Sequence, residues 1–322
     1  MNFYTSPTIK ELAREAGVSV MTASRVFNHP DQVAKKTRLK VLSAAKRINY
    51  RPNSVAQALS YGRNNIIFVY IPSDIVGTNP FYLDVLAGIS EKLGEVGYSV
   101  LLRKSWYQGE NADGVILMGL NRQDTQRTLE LCQQKQVVIF GHIDGADCID
   151  VDNKLGMKMM GDYLIKCHRK RVLYLSVNSD RTFFSEREAG LISSLEGKEE
   201  YSIARLSKND TQTAYQYMKK SFDISAGYDT ICCATDELAL GVSYALRERG
   251  IKIPQDISVT GFDGLGREKM CVPAITTVRQ PIFEIGVALA ERLVARIKGA
   301  SLMAEKRFVM PELLIGESVS SK

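Results

Sequence analysis

The sequence predicts an α/β protein that has an N-terminal all-α head and a body of two parallel-sheet lobes. Apolar residues repeat at helical intervals up to about residue 50, whereas from Ile66 onward short β-branched strands alternate with helical stretches. Charge follows the same division. Residues 1–63 contain eleven Lys and Arg against three Asp and Glu, a balance of +8, and the remainder has 31 against 33. A basic helical head on a near-neutral body is typical of a protein that binds a polyanion.

The domain organisation follows from these changes in pattern. A chain of 322 residues is long enough for two or three domains, each with its own core. We predict a helical head at residues 1–50, a hinge helix with a linker at 51–65, and the body at 66–322.

Composition indicates a soluble protein without a bound metal. No apolar run reaches the roughly 18 residues that span a membrane, and the N-terminus MNFYTSPTIKE lacks the pattern of a signal peptide. We therefore expect a cytoplasmic protein. The six cysteines have no CxxC spacing and the three histidines are scattered, which favours reduced core thiols over a metal or redox site. We expect neither a metal nor a cofactor.

The head begins with two predicted helices joined by a very tight turn. Thr8 can cap the first helix, with Glu11 at the capping-box spacing. Gly17 suits the left-handed position at which that helix ends, and Ser19 can cap the second. A third helix is predicted at Thr37–Ile48. This arrangement indicates a helix-turn-helix, whose second helix enters the major groove of DNA.

The second helix supplies the predicted DNA contacts. Its first turn would bring Val20, Met21 and Thr22 to base edges, with Arg25 further along the same face. The apolar pair would read thymine methyl groups and exclude other bases sterically. The remaining candidates have short polar side chains suited to phosphates or caps; they are Thr8, Ser19, Thr22, Ser24 and Asn28. A helical hairpin packed on a partner protein is the alternative, and an exposed Val20–Met21 pair fits it poorly.

A separate short helix is predicted after the head. Pro52 ends the preceding helix, Asn53 can cap a new one, and Val55, Ala56 and Leu59 share one face. A helix of about two turns is marginal in water on its own, so we expect it to form with a partner helix and DNA. Leu59 would then enter the minor groove and kink the duplex.

The order of these motifs resembles the LacI/GalR family of bacterial repressors almost end to end. The motifs are TIKELAREAGVS, TASRVFN, YRPNSVAQAL, NPFY, EREAG, ATDELALG, ISVTGFDG and TTVRQP. The resemblance implies a periplasmic-binding-protein-like body whose chain crosses between lobes near Val151–Asn153, Thr276–Gln280 and Leu313–Gly316. The implied lobes comprise about residues 66–150 and 281–312 for lobe 1, and about 153–276 and 315–320 for lobe 2.

One connection departs from the family. Between the strands YSVLLR and GVILMG lie only a few residues around Trp106–Ala112. A parallel return normally needs a dozen or more residues, usually a helix. We predict either an extended, helix-free return or an unusual pairing of these strands. The loss of the helix would uncover part of the sheet in lobe 1.

Strand-end loops gather ligand contacts in such folds. Asp263 can accept hydrogen bonds from two sugar hydroxyls, Arg187 is a planar donor, and Phe81 and Tyr82 offer flat apolar faces. By correspondence with family ligand positions, the effector candidates are Phe81, Tyr82, His142, Arg181, Arg187, Thr235, Asp263 and Gln280. A loop cap or a salt bridge is the alternative for each. Departures from ribose-type relatives at Thr235 and His142 indicate an effector other than ribose.

Three acidic residues of the body are interpreted without a catalytic role. Asp236 lies where a helix begins, so N-capping accounts for it. Asp150 and Asp152 alternate on one strand, but Asp152 is more simply the cap of the following helix. No catalytic residue is assigned.

These features favour a sequence-specific DNA-binding transcriptional regulator. We expect a homodimeric repressor that a small sugar-like effector releases from a double-stranded operator. The alternative is a corepressor-dependent repressor or an activator of the same family that responds to a sugar phosphate or a purine-like ligand. An enzyme is not expected, because the sequence contains no P-loop, GxGxxG after a strand, HExxH or GxSxG. The basic head and the missing signal peptide argue against a transport protein.

Overall fold

The computed structural model describes residues 7–28, 30–50, 64–72, 80–300 and 303–321. The chain divides into two compact units, Met1–Ile66 with Asn111–Asp113 and Ile67–Glu110 with Gly114–Lys322. The predicted hinge contacts lie outside the described residues, as does the side chain of Asn28, so their roles stay predictions; the hinge residues are Asn53, Val55, Ala56 and Leu59.

The head folds as three helices around a small apolar core. The helices are α1 (Ile9–Ala16), α2 (Val20–Asn28) and α3 (Lys35–Arg47), with a 3-10 turn at Pro30–Gln32. The third helix begins at Lys35, two residues before the predicted Thr37. The core side chains are mostly small, which lets the helices approach closely; they are Leu12, Ala13, Ala16, Ala23, Val26, Val41, Ala44 and Ala45.

The predicted caps of the head are present. Thr8 Oγ1 accepts the Glu11 amide at 3.4 Å, and the Glu11 carboxylate accepts the Thr8 amide at 2.7 Å. Gly17 ends α1 with φ 56°, in the left-handed region that glycine adopts without strain. Ser19 Oγ accepts the Thr22 amide at 3.0 Å at the start of α2. These bonds fix the tight turn and confirm the helix-turn-helix.

The body alternates strands and helices, as predicted. In chain order its elements are β1 (Ile66–Tyr70), α4 (Pro80–Glu95), β2 (Ser99–Arg103), β3 (Gly114–Met118), α5 (Thr125–Gln134), β4 (Val137–Phe140), β5 (Cys148–Val151), α6 (Asn153–Lys166), β6 (Arg171–Val177), α7 (Thr182–Leu195), β7 (Glu200–Leu206), α8 (Thr211–Lys220), β8 (Thr230–Cys233), α9 (Asp236–Glu248), β9 (Ser258–Thr260), β10 (Thr277–Arg279), α10 (Ile282–Ile297), β11 (Lys306–Val309) and β12 (Glu312–Leu314). Short 3-10 turns occur at Arg122–Asp124, Ile224–Ala226 and Arg267–Met270.

Two parallel sheets form the two lobes. Lobe 1 has the strand order β11-β5-β4-β3-β1-β2, and lobe 2 has the order β7-β6-β8-β9. The pairs β1–β3, β3–β4, β4–β5 and β5–β11 run parallel, as do β6–β7, β6–β8 and β8–β9. Parallel strands need covered faces, and an apolar core lies within each lobe.

The connection from β2 to β3 contains no helix, which confirms the helix-free return. We call Lys104–Asp113 the return segment. Its two aromatic side chains pack on the neighbouring strand β1: the Trp106 ring centre lies 5.3 Å from that of Tyr70, and the Tyr107 ring centre lies 5.3 Å from that of Phe68. Two aromatic rings thus cover part of β1.

Helix pairs beside the sheets pack backbone to backbone at glycines. A Cβ on Gly88 of α4 would lie 2.1 Å from the Phe283 carbonyl oxygen of α10, and one on Gly190 of α7 would lie 2.1 Å from the Lys154 carbonyl oxygen of α6. Both distances are too short for any larger residue, so each contact requires glycine.

Two of the connections between the lobes pair with each other. β10 and β12 form an antiparallel ribbon in which Val278 faces Leu313. A third connection runs from β5 to α6, where Asp152 Oδ1 accepts the Leu155 amide at 2.8 Å. This bond confirms Asp152 as the cap of α6.

Candidate functional site

A cleft of about 840 Å³ lies at the carboxyl ends of the strands of both lobes. Loop residues distant in sequence meet there because parallel strands end at the same edge of a sheet. The cleft wall contains all eight effector candidates, namely Phe81, Tyr82, His142, Arg181, Arg187, Thr235, Asp263 and Gln280.

Arg187 of α7 is buried and held on three sides. Its side chain is 4% exposed. Nε donates to Asn153 Oδ1 at 2.9 Å, and Nη1 donates to the Ala234 carbonyl at 2.7 Å and to Asp263 Oδ1 at 3.4 Å. The guanidinium carbon lies 3.7 Å from the centre of the Phe262 ring. Burial lowers the pKa of Arg187, and Asp263 opposes this shift. The arginine therefore presents a fixed donor group to the cleft.

Asp263 follows β9 and occupies a backbone conformation that L-residues rarely adopt, with φ 140°. Besides its contact with Arg187, Oδ1 accepts a hydrogen bond from Gln280 Nε2 at 2.8 Å. The Asp263 amide donates to the Val278 carbonyl and its carbonyl accepts the Gln280 amide, both at 2.9 Å. Burial raises the pKa of Asp263 to about 6, against the lowering effects of Arg187 and Gln280. At neutral pH the carboxylate is charged and has lone pairs for ligand hydroxyls.

The prediction that Asp236 caps a helix is wrong. Thr235 is the N-cap of α9 and accepts the Leu238 amide at 3.3 Å. Asp236 is instead buried, accepting from Thr277 Oγ1 at 2.6 Å and from the Gly264 amide at 2.7 Å. Burial raises the pKa of Asp236 to about 8. The carboxyl group therefore braces the loop that carries Asp263.

Asp150 also reaches the cleft. It is 7% exposed, and its Oδ1 accepts the Val151 amide at 2.7 Å. Burial is the main cause that raises the pKa of Asp150 to about 7, and the carboxylate of Glu186 adds to it. Position alone, at the end of β5 beside a crossing, would have indicated this residue as a cleft residue.

Aromatic rings line both sides of the cleft. In lobe 1, Phe81 stacks on Phe140 with ring centres 5.3 Å apart and planes 18° from parallel. In lobe 2, the rings of Phe183 and Phe184 lie 4.3 Å apart. Flat apolar faces of this kind pack against the C–H face of a sugar ring or against a planar base.

Two of the predicted residues have side-chain partners in the structure, and a third begins a helix. His142 lies 3.6 Å from Glu186 and 2.9 Å from Lys306 Nζ. The Thr235 hydroxyl lies 2.6 Å from Asn209 Oδ1 while it caps α9. Arg181 is the N-cap residue of α7, without a side-chain cap hydrogen bond. For these residues a role in ligand binding would compete with a role in holding loops.

Several lining residues were not among the predicted ones. Their shared feature is a position at or just past a strand end or in the first turn of the following helix; they include Arg122, Phe140, Asp150, Asn153, Asn178, Phe183, Lys208 and Glu237. Position relative to the strand ends would have found most of them. Their chemistry alone would not, because isolated polar residues in loops are common.

The predicted reading face of the head is exposed. Val20 is 43% and Met21 65% exposed at the start of α2, beside the exposed Arg25. Thr22 is half-buried, and its hydroxyl lies 2.8 Å from that of Ser19. Ser24 is also half-buried. Two large apolar side chains held in solvent on a basic unit indicate a surface that contacts another molecule.

The described part of the chain contains no group of three or more His, Cys, Asp or Glu side chains that could hold a metal ion. Within the same residues, every helix is too short or too polar to traverse a bilayer.

Comparison with known proteins agrees with both parts of the structure. A family model described as bacterial regulatory proteins, lacI family, matches residues 8–53, and one described as a periplasmic binding protein-like domain matches residues 162–319. The HTH-type transcriptional regulator YvdE of Bacillus subtilis (strain 168) is 34% identical over 318 residues, covering 97% of this chain and 99% of the relative.

Solved structures share the fold. The lac repressor dimer bound to operator and the anti-inducer ONPF has a TM-score of 0.80 at 22% identity, covering 98% of this chain and 100% of that one. The transcriptional regulator CelR in complex with cellobiose has a TM-score of 0.73 at 25% identity, covering 97% and 99%. On these matches and on the geometry above, the chain belongs to the lacI family of bacterial transcriptional regulators.

Proposed function

We propose that this regulator is a homodimeric, cytoplasmic repressor that binds a specific operator through α2 and leaves it when a small sugar-like effector occupies the cleft. The observation that carries the proposal is the triad of Asp263, Arg187 and Gln280. It offers a fixed carboxylate, a buried guanidinium and an amide beside aromatic rings. Fixed polar groups that orient a ligand among apolar faces are the usual construction of a site for a small polyhydroxylated molecule.

The head supports the DNA-binding half of the proposal. Val20 and Met21 would contact thymine methyl groups, and Arg25 would reach base edges on the same face. Short hydroxyl side chains such as Ser19 and Ser24 would bind phosphates and set the register of the helix in the groove. Leu59 would kink the centre of the operator.

Coupling between effector binding and DNA binding would follow from the architecture of the cleft. Phe81 and His142 belong to lobe 1, whereas Arg187 and Asp263 belong to lobe 2, so a bound ligand favours one angle between the lobes. An effector that weakens operator binding must itself bind less well to the operator complex, because the coupling free energy is reciprocal. One structural relative is a dimer bound to an operator and another is a complex with cellobiose, which supports this scheme.

A second candidate is a corepressor-dependent repressor or an activator that responds to a sugar phosphate or a purine-like ligand. Three basic side chains favour this candidate, because they line the cleft and could bind a phosphate group; they are Arg122, Arg181 and Lys208. The stacked pair Phe81–Phe140 would suit a planar base as well as a sugar. We propose that the protein acts as a regulator without catalytic activity, because the family model and the relative that it matches describe transcriptional regulators.

The proposal is tested by operator selection followed by a ligand panel. The full-length protein would first select a duplex from a randomised pool. The affinity for that duplex would then be measured with cellobiose, ribose, glucose 6-phosphate and hypoxanthine. Release by a neutral saccharide supports the proposal, tighter binding with hypoxanthine or glucose 6-phosphate supports the second candidate, and failure to select any duplex would contradict both.

Asp263→Ala gives a sharper test of the cleft. We expect the variant to bind the selected duplex as the parent does but to lose at least about ten-fold of its effector affinity, since hydrogen bonds to a charged group contribute roughly 1.5–3 kcal/mol. In the parent, effector affinity should fall as the pH drops below about 6, because protonation removes an acceptor from Asp263. An unchanged response in Asp263→Ala would remove this residue from the site.

A further inference from the structure

The return segment ends in a group of hydrogen bonds that the proposed function does not use. Both carboxylate oxygens of Asp113 are engaged: Oδ1 accepts the Asn64 amide and Oδ2 accepts the Asn65 amide, each at 2.9 Å. The Asp113 amide donates to the Ile66 carbonyl at 2.8 Å. The side chain of Asp113 therefore fixes Asn64 and Asn65, and its backbone amide fixes Ile66, in the segment that leads into β1.

Asn111 strengthens the same contact. Its side-chain amide exchanges two hydrogen bonds with that of Asn64, at 2.7 and 3.0 Å. Asn65 has φ 53°, a left-handed conformation that a residue other than glycine adopts when its surroundings impose it. Two consecutive amides that face one anion form a geometry that binds anions well, and the carboxylate supplies the charge. We call Asn64, Asn65, Asn111 and Asp113 the junction clamp.

The chain beside the clamp is itself held firmly. Tyr107 is 7% exposed, and its hydroxyl donates to the Glu110 carbonyl at 2.5 Å. The Arg127 guanidinium of α5 lies 4.3 Å from the centre of the Trp106 ring. These contacts give residues 104–110 a defined path without a helix.

We propose that Asp113 is a positioning residue for operator binding. Residues 51–63 lie between the DNA-reading head and Asn64, so the clamp sets the point from which they start. Without it, Asn64 and Asn65 would have to be ordered when DNA binds, and the backbone entropy lost on ordering would lower the affinity. This inference rests on the proposed DNA-binding function, and it assigns part of the operator affinity to a carboxylate that touches no DNA.

The test compares variants of the full-length protein on the duplex that the parent selects from a randomised pool. Asp113→Asn keeps the size of the side chain but loses one acceptor oxygen and the charge. We expect it to lose roughly ten-fold of its affinity for the selected duplex, with little change in affinity for an unrelated duplex. Asn64→Ala and Asn111→Ala remove only the side-chain pair and should each lose a smaller factor. Asp124→Asn is the matched control, because Asp124 is also half-buried and accepts a backbone amide, that of Asn121, at 2.9 Å.

Melting temperature and the fluorescence of Trp106, the only tryptophan in the chain, separate positioning from folding. The proposal would be supported if Asp113→Asn lost affinity for the selected duplex alone, with melting temperature and Trp106 fluorescence unchanged, and if Asp124→Asn bound that duplex nearly as the parent does. The proposal would be overturned if Asp113→Asn bound the selected duplex with the affinity of the parent. It would also be overturned if the variant lost the same factor on both duplexes together with a fall in melting temperature. If the parent protein selected no duplex, the proposed function itself would be contradicted, and the proposed role of the junction clamp would fail with it.

Discussion

The two lobes share one fold but stabilise it differently. The central strand of lobe 2, β6, is buried at every position after its first, and helices connect its sheet throughout. At the edge of lobe 1, β2 is exposed or half-buried along its length, and a return segment without a helix follows it. In lobe 1, a short segment with two packed aromatic side chains therefore connects two strands of a parallel sheet without a helix.

Each lobe also contains a buried ion pair, and that of lobe 1 lies away from the cleft. Asp147, nearly fully buried, accepts from Arg292 at 2.7 Å and from the Glu305 amide at 2.9 Å, and it pairs with Arg296. These bonds tie α10 to the start of β5. The buried ion pair fixes the geometry of this side of the sheet, although the desolvation of its charges offsets much of its attraction.

The largest effect that would sharpen this comparison is expected from Leu175→Ala in β6. Leu175 is fully buried, and replacement of such a leucine costs about 2–5 kcal/mol through lost transfer energy and the cavity left behind. Chemical denaturation would measure the loss. A cost below about 1 kcal/mol would mean that lobe 2 is not the tightly packed lobe.

Tyr107→Ala should come next. If the return segment replaces a helix, removal of this ring should destabilise lobe 1 by about 2–3 kcal/mol, somewhat less than a typical aromatic core substitution because the segment can partly collapse. Tyr107→Phe serves as the control, since it keeps the packing and loses only the bond to Glu110. A negligible effect of the alanine variant would show that the aromatic cover does not stabilise the sheet.

The buried carboxyl group of Asp236 should make the stability of lobe 2 depend on pH. The folded-state pKa of Asp236 is raised to about 8 from an ordinary value of 3.8. The folded protein then binds more protons than the unfolded one between these values, so stability falls as the pH rises from about 4 to about 8. Asp236→Asn should reduce this slope in denaturation measured across pH 5–8. An unchanged slope would assign the dependence to other groups, such as Asp150.

Leu102→Ala on the edge strand β2 should have the smallest effect. The side chain is 46% exposed, so we expect a loss within about 0.5 kcal/mol, as for other surface positions. Chemical denaturation of this variant and of Leu175→Ala under the same conditions would compare the edge strand of lobe 1 with the central strand of lobe 2. A loss above about 2 kcal/mol would show that something covers β2 in solution.

The sequence was sufficient for the architecture and for the position of the cleft. Helical and strand periodicities are local, so the three head helices and the alternating body could be predicted, and loops after buried strands identified the cleft residues. The ribbon of β10 and β12 could not be predicted, because each strand is three residues long and is defined only by the other. The role of Asp236 was misread for a related reason: its partners, Thr277 and Gly264, are distant along the chain.

The antiparallel ribbon between the lobes limits how they can move. Because Val278 and Leu313 are paired across it, the two strands must bend as one strip when the cleft opens or shuts. If one lobe slid past the other, the register between β10 and β12 would be broken. Rotation of the lobes about the ribbon would preserve that register. The ribbon therefore favours hinge rotation of the two lobes over sliding. A ligand that contacts both lobes would select the angle between them.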